Sequence, residues 1–219
     1  MRTLAAAVLL LVAGTAVAQA PKTEEEKTLY AMGLMVARGL KDFNFSPKEA
    51  EMLKRGFGDA LASKKPAVDI AAYEPKVREL AETRRKAAAE KQKEGSKTFL
   101  EAAAKDTGAV KTGSGLVYVS LKEGTGESPK TTDKVKVNYE GKLTDGTVFD
   151  ASSRHGGPAE FPVNGVIPCW TEGIQRMKVG GKARLVCPSS IAYGDRGVPG
   201  VIPGGSTLVF EVELLEVKK

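Results

Sequence analysis

The stretch "FDASSRHGGPAEFPVNGVIPCWTEGI", from Phe149 to Ile174, decides how the second half of this 219-residue chain is interpreted. Aromatic and aliphatic residues stand on either side of one aspartate, Asp150, and the stretch holds the only tryptophan of the chain, Trp170. Almost nothing nucleophilic stands beside them. A function carried by this stretch would therefore need a chemistry without a nucleophile.

The sequence around this stretch is typical of β-structure. The segments "LVYVSL", "KVKVNY", "KARLVC" and "STLVFEVELLEV" are rich in β-branched and aromatic residues, and Gly, Pro and Asp-Gly turns separate them. Alternation in the last segment puts Leu208, Phe210, Val212 and Leu214 on one core-facing side. Only "PCWTEGIQRM" predicts a helix here. The sequence therefore predicts an α+β fold, in which residues 109–219 form a small antiparallel sheet wrapped on one short helix.

Residues 19–68 predict two helices. The first has apolar residues at three- and four-residue spacing, and more apolar surface than one short partner helix can cover. The second begins at "SPKE", where Ser46 is the N-cap and Glu49 completes a capping box. Two such helices make too small a core to be stable alone, so we expect a V-shaped homodimer formed through this domain.

Residues 69–108 are rich in Ala, Glu, Lys and Arg, which favours helix over a disordered charged linker. Pro75 predicts a bend or a helix start. Between Leu80 and Phe99 there is no large apolar residue, so we expect a solvated spacer helix, on the order of 45 Å long.

Residues 1–18 predict a cleaved signal peptide. One Arg precedes an apolar run that ends in Ala16-Val17-Ala18, the small-x-small pattern read by signal peptidase. The alternative is an uncleaved membrane anchor, for which the run is short. Export predicts a periplasmic protein, with outer-membrane association or secretion left open.

This sequence lacks the residues that several kinds of chemistry require. His155 is the only histidine, and we interpret it as an exposed loop residue. A zinc hydrolase or a His-based triad therefore lacks its groups, and we expect no metal and no cofactor. The 33 basic and 27 acidic residues are spread over both halves, which argues against nucleic acid as a partner.

The motifs "VNYEGKLTDGTVFD", "VIPCW" and "IAYGDRGVPGVIPGGSTLVFEVELL" together resemble the FKBP-type peptidyl-prolyl isomerase domain over nearly all of residues 114–219. The preceding helices resemble the amino-terminal domain of Mip-like and FkpA-like bacterial isomerases. Prolyl isomerisation is consistent with a stretch that lacks a nucleophile. Rotating an X-Pro amide costs about 18–20 kcal/mol, and water opposes the rotation because it solvates the planar form. A dry pocket lowers that barrier without acid, base or covalent step.

The resemblance implies a set of pocket residues: Tyr139, Phe149, Asp150, Phe161, Val166, Ile167, Trp170, Tyr193, Ile202 and Phe210. Trp170 would lie under the proline ring, the Ile167 N–H and the Tyr193 hydroxyl would bind substrate carbonyls, and Asp150 would lie near the rotating amide. The alternative is that the aromatic residues are ordinary core and Asp150 a turn residue.

Four positions depart from the family pattern. Ala159 stands where single-domain relatives have a pocket aromatic, and Val198 and Val201 lie in the flap "DRGVPGVIP", which leaves substrate preference and macrolide inhibitor binding open. Cys169 replaces the usual Gly before Trp170, and an even cysteine count in an exported protein favours a bond between Cys169 and Cys187 over two separate thiols.

The implied partners are unfolded or proline-containing polypeptides and a second copy of the chain. The implied function is isomerisation of X-Pro bonds in exported proteins, with chaperone activity from the helical domain. The alternatives are a proline-binding chaperone and a host-interaction factor, each with little isomerase activity.

Overall fold

The computed structural model describes residues 20–40 and 43–219. The predicted signal peptide lies outside the described residues. Among the residues that are described, no helix combines the length and the apolar composition that crossing a membrane requires.

The first helix, α1 (Glu24–Arg38), lies in a compact unit that ends at Ala37, one residue before the helix does. Its start is capped by Thr23, whose hydroxyl accepts the Glu26 N–H at 3.1 Å while the Glu26 carboxylate accepts the Thr23 N–H at 3.0 Å. None of its residues is buried in the single chain.

The second unit begins with α2 (Pro47–Leu61), and its predicted capping box is confirmed. The Ser46 hydroxyl accepts the Glu49 N–H at 3.4 Å, and the Glu49 carboxylate accepts the Ser46 N–H at 2.9 Å. The predicted spacer is one helix, α3 (Ile70–Ala103), capped by Asp69. Pro75 therefore lies inside α3 and does not begin it.

The expectation that the middle of α3 lies on no core is wrong. Ala89, Ser96 and Ala103, seven residues apart, are 0%, 2% and 8% exposed. Seven residues are close to two turns, so these small side chains form one face of the helix. Ala89 packs on the backbone at Gly205, and Lys93 forms an ion pair with Asp195 at 2.6 Å. Small residues allow this close approach, which a search for large apolar residues overlooks.

Seven antiparallel strands form one sheet in the second half of the chain. They are β1 (Ala109–Lys111), β2 (Val117–Lys122), β3 (Lys134–Leu143), β4 (Val148–Ala151), β5 (Ala159–Pro162), β6 (Lys182–Cys187) and β7 (Leu208–Lys218). Their order is β1-β2-β6-β7-β3-β4, and β5 also pairs with β3. The four longer strands were predicted from composition, whereas β1, β4 and β5 were not.

The sheet packs on α4 (Pro168–Ile174), as predicted. The predicted core face of β7 is confirmed, since Leu208, Phe210, Val212 and Leu214 are at most 4% exposed. Cys169 of α4 and Cys187 of β6 form a disulfide, with Cα atoms 5.8 Å apart. The bond joins the helix to the strand on which it packs.

The contact between α3 and the loop at Gly205 gives a stability prediction. A Cβ on Gly205 would lie 2.2 Å from the Ala89 carbonyl oxygen, whereas a Cβ on Gly146 would meet no atom within 4 Å. Both glycines have a left-handed φ, +78° and +87°. We expect Gly146→Ala to lose about 1–2 kcal/mol from backbone strain alone, and Gly205→Ala about 1–3 kcal/mol more.

Urea denaturation of the two variants measures this difference, with Gly146→Ala as the matched control. Equal losses in both variants would show that α3 does not pack on Gly205 in solution.

Candidate active site

Four aromatic rings from four elements meet at Trp170. The Trp170 ring, on α4, is 5% exposed. Tyr139 of β3, Phe161 of β5 and Phe210 of β7 contact it edge to face, with ring centroids 5.2, 5.8 and 5.3 Å away. Edge-to-face packing is the favoured geometry of aromatic pairs, so the rings fix one another. They form one apolar aromatic cluster around Trp170, the predicted floor of the binding pocket.

Two hydrogen-bond donors, one on α4 and one directly before it, have no partner within the described residues. The Trp170 indole N–H is buried and has no hydrogen-bond partner in the described part of the chain. The Ile167 N–H, directly before α4, donates no hydrogen bond within residues 20–40 and 43–219 either. Buried polar groups are normally paired, so the Trp170 N–H is a candidate donor to a bound molecule, and the half-buried Ile167 N–H is another.

The Asp150 carboxylate is fixed at both of its oxygens. Oδ2 accepts the Tyr139 hydroxyl at 2.7 Å. Oδ1 accepts the Ala151 N–H at 2.9 Å and lies 2.8 Å from His155 Nε2. The carboxylate is therefore attached to the aromatic pocket through Tyr139 and held from outside by His155.

These contacts keep Asp150 ionised. Burial, the largest single influence, raises the pKa of Asp150, but the hydrogen bonds from His155, Tyr139 and Ala151 together hold the pKa below its usual 3.8. For Tyr139, burial and the hydrogen bond to Asp150 raise the pKa well above its ordinary value. The Tyr139 hydroxyl therefore stays protonated and donates to Asp150.

Tyr193 lies at the rim of the pocket. It is 39% exposed, and burial followed by the negative charge of Asp150 raises the pKa of its hydroxyl. A protonated hydroxyl is a hydrogen-bond donor, and this one has no hydrogen-bond partner among the described residues. Tyr193 is thus near enough to Asp150 to be affected by its charge, while the Tyr193 hydroxyl remains available to donate to a ligand.

The predicted site residues come together, with Tyr193 the least closely packed. Eight of them pack in one apolar cluster: Tyr139, Phe149, Phe161, Val166, Ile167, Trp170, Ile202 and Phe210. Asp150 joins this cluster through Tyr139. Ile202 is held by two backbone hydrogen bonds with Val198, each 2.8 Å, which close the flap on itself. Val201 at the flap tip is 51% exposed.

His155 is the site residue whose role sequence reasoning missed. Its side chain is 61% exposed, as expected of a loop residue, yet it contacts Asp150. A short 3-10 turn, Ser152–His155, turns the imidazole back toward the carboxylate five residues earlier. Nothing in the pattern "FDASSRHGG" marks such a turn.

Within the described residues, no group of three or more His, Cys, Asp or Glu is arranged to hold a metal ion.

The contact between His155 and Asp150 predicts a titration change. In His155→Asn the burial of Asp150 is opposed by fewer hydrogen bonds, so we expect the pKa of Asp150 to rise. The depressed pKa stabilises the fold above the pKa of the unfolded chain, and this stabilisation is lost as pH falls through the folded pKa. The variant should therefore lose stability at neutral pH relative to acid.

Carbon-13 NMR titration of the Asp150 carboxyl measures the shift directly. Ser153→Asn is the control, because Ser153 is exposed in the same turn. An Asp150 titration that stays unchanged in His155→Asn would rule out the contact in solution.

Two family models match the chain. The model described as FKBP-type peptidyl-prolyl cis-trans isomerase matches residues 125–215. The model described as the domain amino terminal to FKBP-type peptidyl-prolyl isomerase matches residues 25–119. Together they include every predicted site residue and most of the helical region.

Curated and solved relatives agree with these matches. The FKBP-type 22 kDa peptidyl-prolyl cis-trans isomerase of Escherichia coli (strain K12) is 45% identical over 199 residues, which cover 89% of this chain and 96% of that protein. The peptidyl-prolyl cis-trans isomerase Mip of Coxiella burnetii is 37% identical over 96% of this chain and 94% of that protein. The crystal structure of FkpA from Escherichia coli matches with a TM-score of 0.67 and 40% identity, covering 91% of this chain and 99% of that one. The chain therefore belongs to the FKBP-type peptidyl-prolyl cis-trans isomerases.

Proposed function

We propose that this isomerase turns X-Pro bonds of exported polypeptides in the pocket above Trp170. The observation that carries the proposal is an ionised carboxylate, Asp150, fixed beside four interlocked aromatic rings and near donors that have no internal partner. This arrangement has an apolar place for a proline ring and polar groups for the flanking peptide units.

The proposed mechanism is preferential binding of the twisted amide. The planar X-Pro amide is the more polar form, so removing water from it in an apolar pocket disfavours it relative to the twisted form. The proline ring lies on Trp170, and the side chains of Phe161 and Phe210 exclude water around it. No bond to carbon is made or broken, and no proton has to move.

Two donors orient the substrate in this proposal. The Ile167 N–H and the Tyr193 hydroxyl donate to carbonyl oxygens of the bound chain and hold it while the amide turns. Asp150 lies at the pocket edge, where its charge acts on the amide dipole and its bond to Tyr139 keeps the wall in place. Interactions that are stronger in the twisted state than in the planar state raise the rate.

Removing single polar groups tests these roles. We expect Tyr193→Phe and Asp150→Asn each to lower kcat/KM on an X-Pro tetrapeptide about tenfold, which corresponds to about 1.4 kcal/mol of lost stabilisation of the twisted amide. Tyr118→Phe, the same change at a tyrosine that the pocket does not use, should keep full activity. Exchange NMR measures the rate without a coupling protease.

Circular dichroism checks that each variant stays folded. Full activity in folded Tyr193→Phe and Asp150→Asn would refute the assignment of these two residues while leaving the pocket itself intact.

The helical region supports a second part of the proposal, a homodimer with chaperone activity. On α1 alone, Leu29, Tyr30, Met32, Leu34, Met35 and Val36 are 49–69% exposed. On α2, Met52, Phe57 and Leu61 are at least half exposed. Apolar surface of this extent is typical of an interface with another chain. A second copy covers part of it, and flexible methionine side chains suit varied unfolded clients.

This exposed apolar surface also favours a second candidate function, a chaperone that binds proline-containing chains and isomerises them little. The two functions separate in the variants above. If Asp150→Asn and Tyr193→Phe lose isomerisation but suppress client aggregation fully, then binding by the helical region is an independent activity. We propose the periplasm as the location, from the predicted signal peptide and the likeness to FkpA and Mip.

Charged substitutions on α1 test the dimer. We expect light scattering to give twice the chain mass for the unaltered protein and a single-chain mass for the double variant Met32→Glu/Met35→Glu, because a dimer interface cannot bury those carboxylates. The double variant should turn over tetrapeptides normally but suppress client aggregation less. Ala37→Glu, exposed on the opposite side of the same helix, is the matched control for added charge.

A single-chain mass for the unaltered protein would overturn the dimer. Equal suppression of aggregation by a monomeric double variant would instead separate chaperoning from dimerisation.

A further inference from the structure

A second concave surface lies beside the flap, outside the aromatic pocket. This groove, which we call the stalk groove, has a volume of about 1070 Å³. Three segments form it: α3 from Arg84 to Gly95, the residues Phe43 to Glu49 at the start of α2, and the flap residues Asp195, Arg196, Pro203 and Gly204. All three belong to the same compact unit.

The floor of the stalk groove is a stripe of small residues on α3. Ala87, Ala88 and Gly95 line it, so the helix backbone is accessible along the groove. From Arg84 to Gly95 the helix rises about 16 Å at 1.5 Å per residue. An extended peptide of about five residues has the same length. The groove therefore fits a short extended stretch of polypeptide.

One wall is held rigid by aromatic and cationic contacts. The rings of Phe43 and Phe45 stack with centroids 5.4 Å apart, and Asn44 between them has a left-handed φ of +47°. The Arg84 guanidinium donates to the Phe43 carbonyl at 3.0 Å, pairs with Glu49 and lies over the Phe45 ring. The wall is thus formed before any ligand is bound.

The groove carries excess positive charge. Its two acidic residues are neutralised, since Glu49 pairs with Arg84 and Asp195 pairs with Lys93 at 2.6 Å. Three further cations line it and are exposed: Arg85, Lys91 and Arg196. None of these three has an ion-pair partner in the part of the chain that the structure describes. An occupant with negative charge is therefore favoured.

The stalk groove and the proposed proline pocket share the flap as a common wall. Arg196 stands two residues before Val198, and Pro203 directly follows Ile202, the flap residue of the pocket. A polypeptide bound by its proline at Trp170 and continuing past the flap would reach the groove. We propose that the stalk groove binds an acidic stretch of the same client polypeptide whose proline lies in the pocket. This inference rests on the proposed function.

Binding of extended peptides tests the proposal. The probes are one X-Pro tetrapeptide carrying about five added residues, the length of the groove, on either side, in acidic and neutral versions. We expect the acidic extension on at least one side to lower Kd about fivefold relative to the neutral one at low salt. This gain should largely disappear at about 0.5 M NaCl, where charges are screened within a few ångströms.

Charge reversal locates the binding. In the double variant Arg85→Glu/Lys91→Glu, which alters two groove cations of α3 and leaves the flap unchanged, the acidic extension should give no gain. Lys97→Glu is the matched control, because Lys97 is exposed on the same helix but does not line the groove, and it should keep most of the gain. Equal Kd values for acidic and neutral extensions on both sides would overturn the proposal. So would a loss in Lys97→Glu as large as in the double variant.

Turnover of the unextended tetrapeptide separates this proposal from the proposed function. We expect the same kcat/KM in the unaltered protein and both charge variants. If neither the unaltered protein nor either charge variant turns over the tetrapeptide, the proposed isomerase site is refuted. Normal turnover without a gain in affinity from acidic residues refutes only the proposal for the stalk groove. Tighter binding of a short single-stranded oligonucleotide than of the acidic peptide would also overturn the choice of a polypeptide as occupant.

Discussion

The edge-to-face packing of Trp170 against Tyr139, Phe161 and Phe210 is the contact on which the site depends. It joins α4 to three strands that are far apart in the sequence. Each ring is held by the others, so the floor of the proposed pocket has one geometry before substrate arrives. A catalyst that works by selecting a twisted amide requires such rigidity, because a soft pocket would accommodate the planar form equally well.

Asp150 connects this apolar pocket to its charged surroundings. The Tyr139 ring packs edge to face with Trp170, and its hydroxyl donates to the Asp150 carboxylate. Because His155 and the Ala151 N–H occupy the other oxygen, the carboxylate cannot turn away without breaking two contacts. The position of the Tyr139 ring and the negative charge of Asp150 are therefore coupled, and a substitution at Asp150 changes both. The conservative variant Asp150→Asn mainly removes the charge.

Structural features that depend on periodicity and on motif order can be predicted from the sequence. Alternation in β7 predicts its buried face, and the Ser46 capping box predicts the start of α2. Two features were out of reach because they depend on close approach in three dimensions. Ala89 is buried because Gly205 has no side chain, and His155 reaches Asp150 because a 3-10 turn reverses the chain. Neither small residues on a charged helix nor one histidine in a glycine-rich loop signals such a contact.

The loop between Tyr193 and Gly205 has α3 on one side and the aromatic pocket on the other. Gly205 contacts the backbone of Ala89, and its N–H donates to the Gly194 carbonyl at 2.9 Å, next to Tyr193. Ile202 of the same loop is buried in the pocket cluster. A small side chain at Ala89 is therefore a condition for the position of the flap as well as for helix packing. The α3 helix and the proposed isomerase site share this loop, and α3 has alanine and serine where it meets the sheet domain.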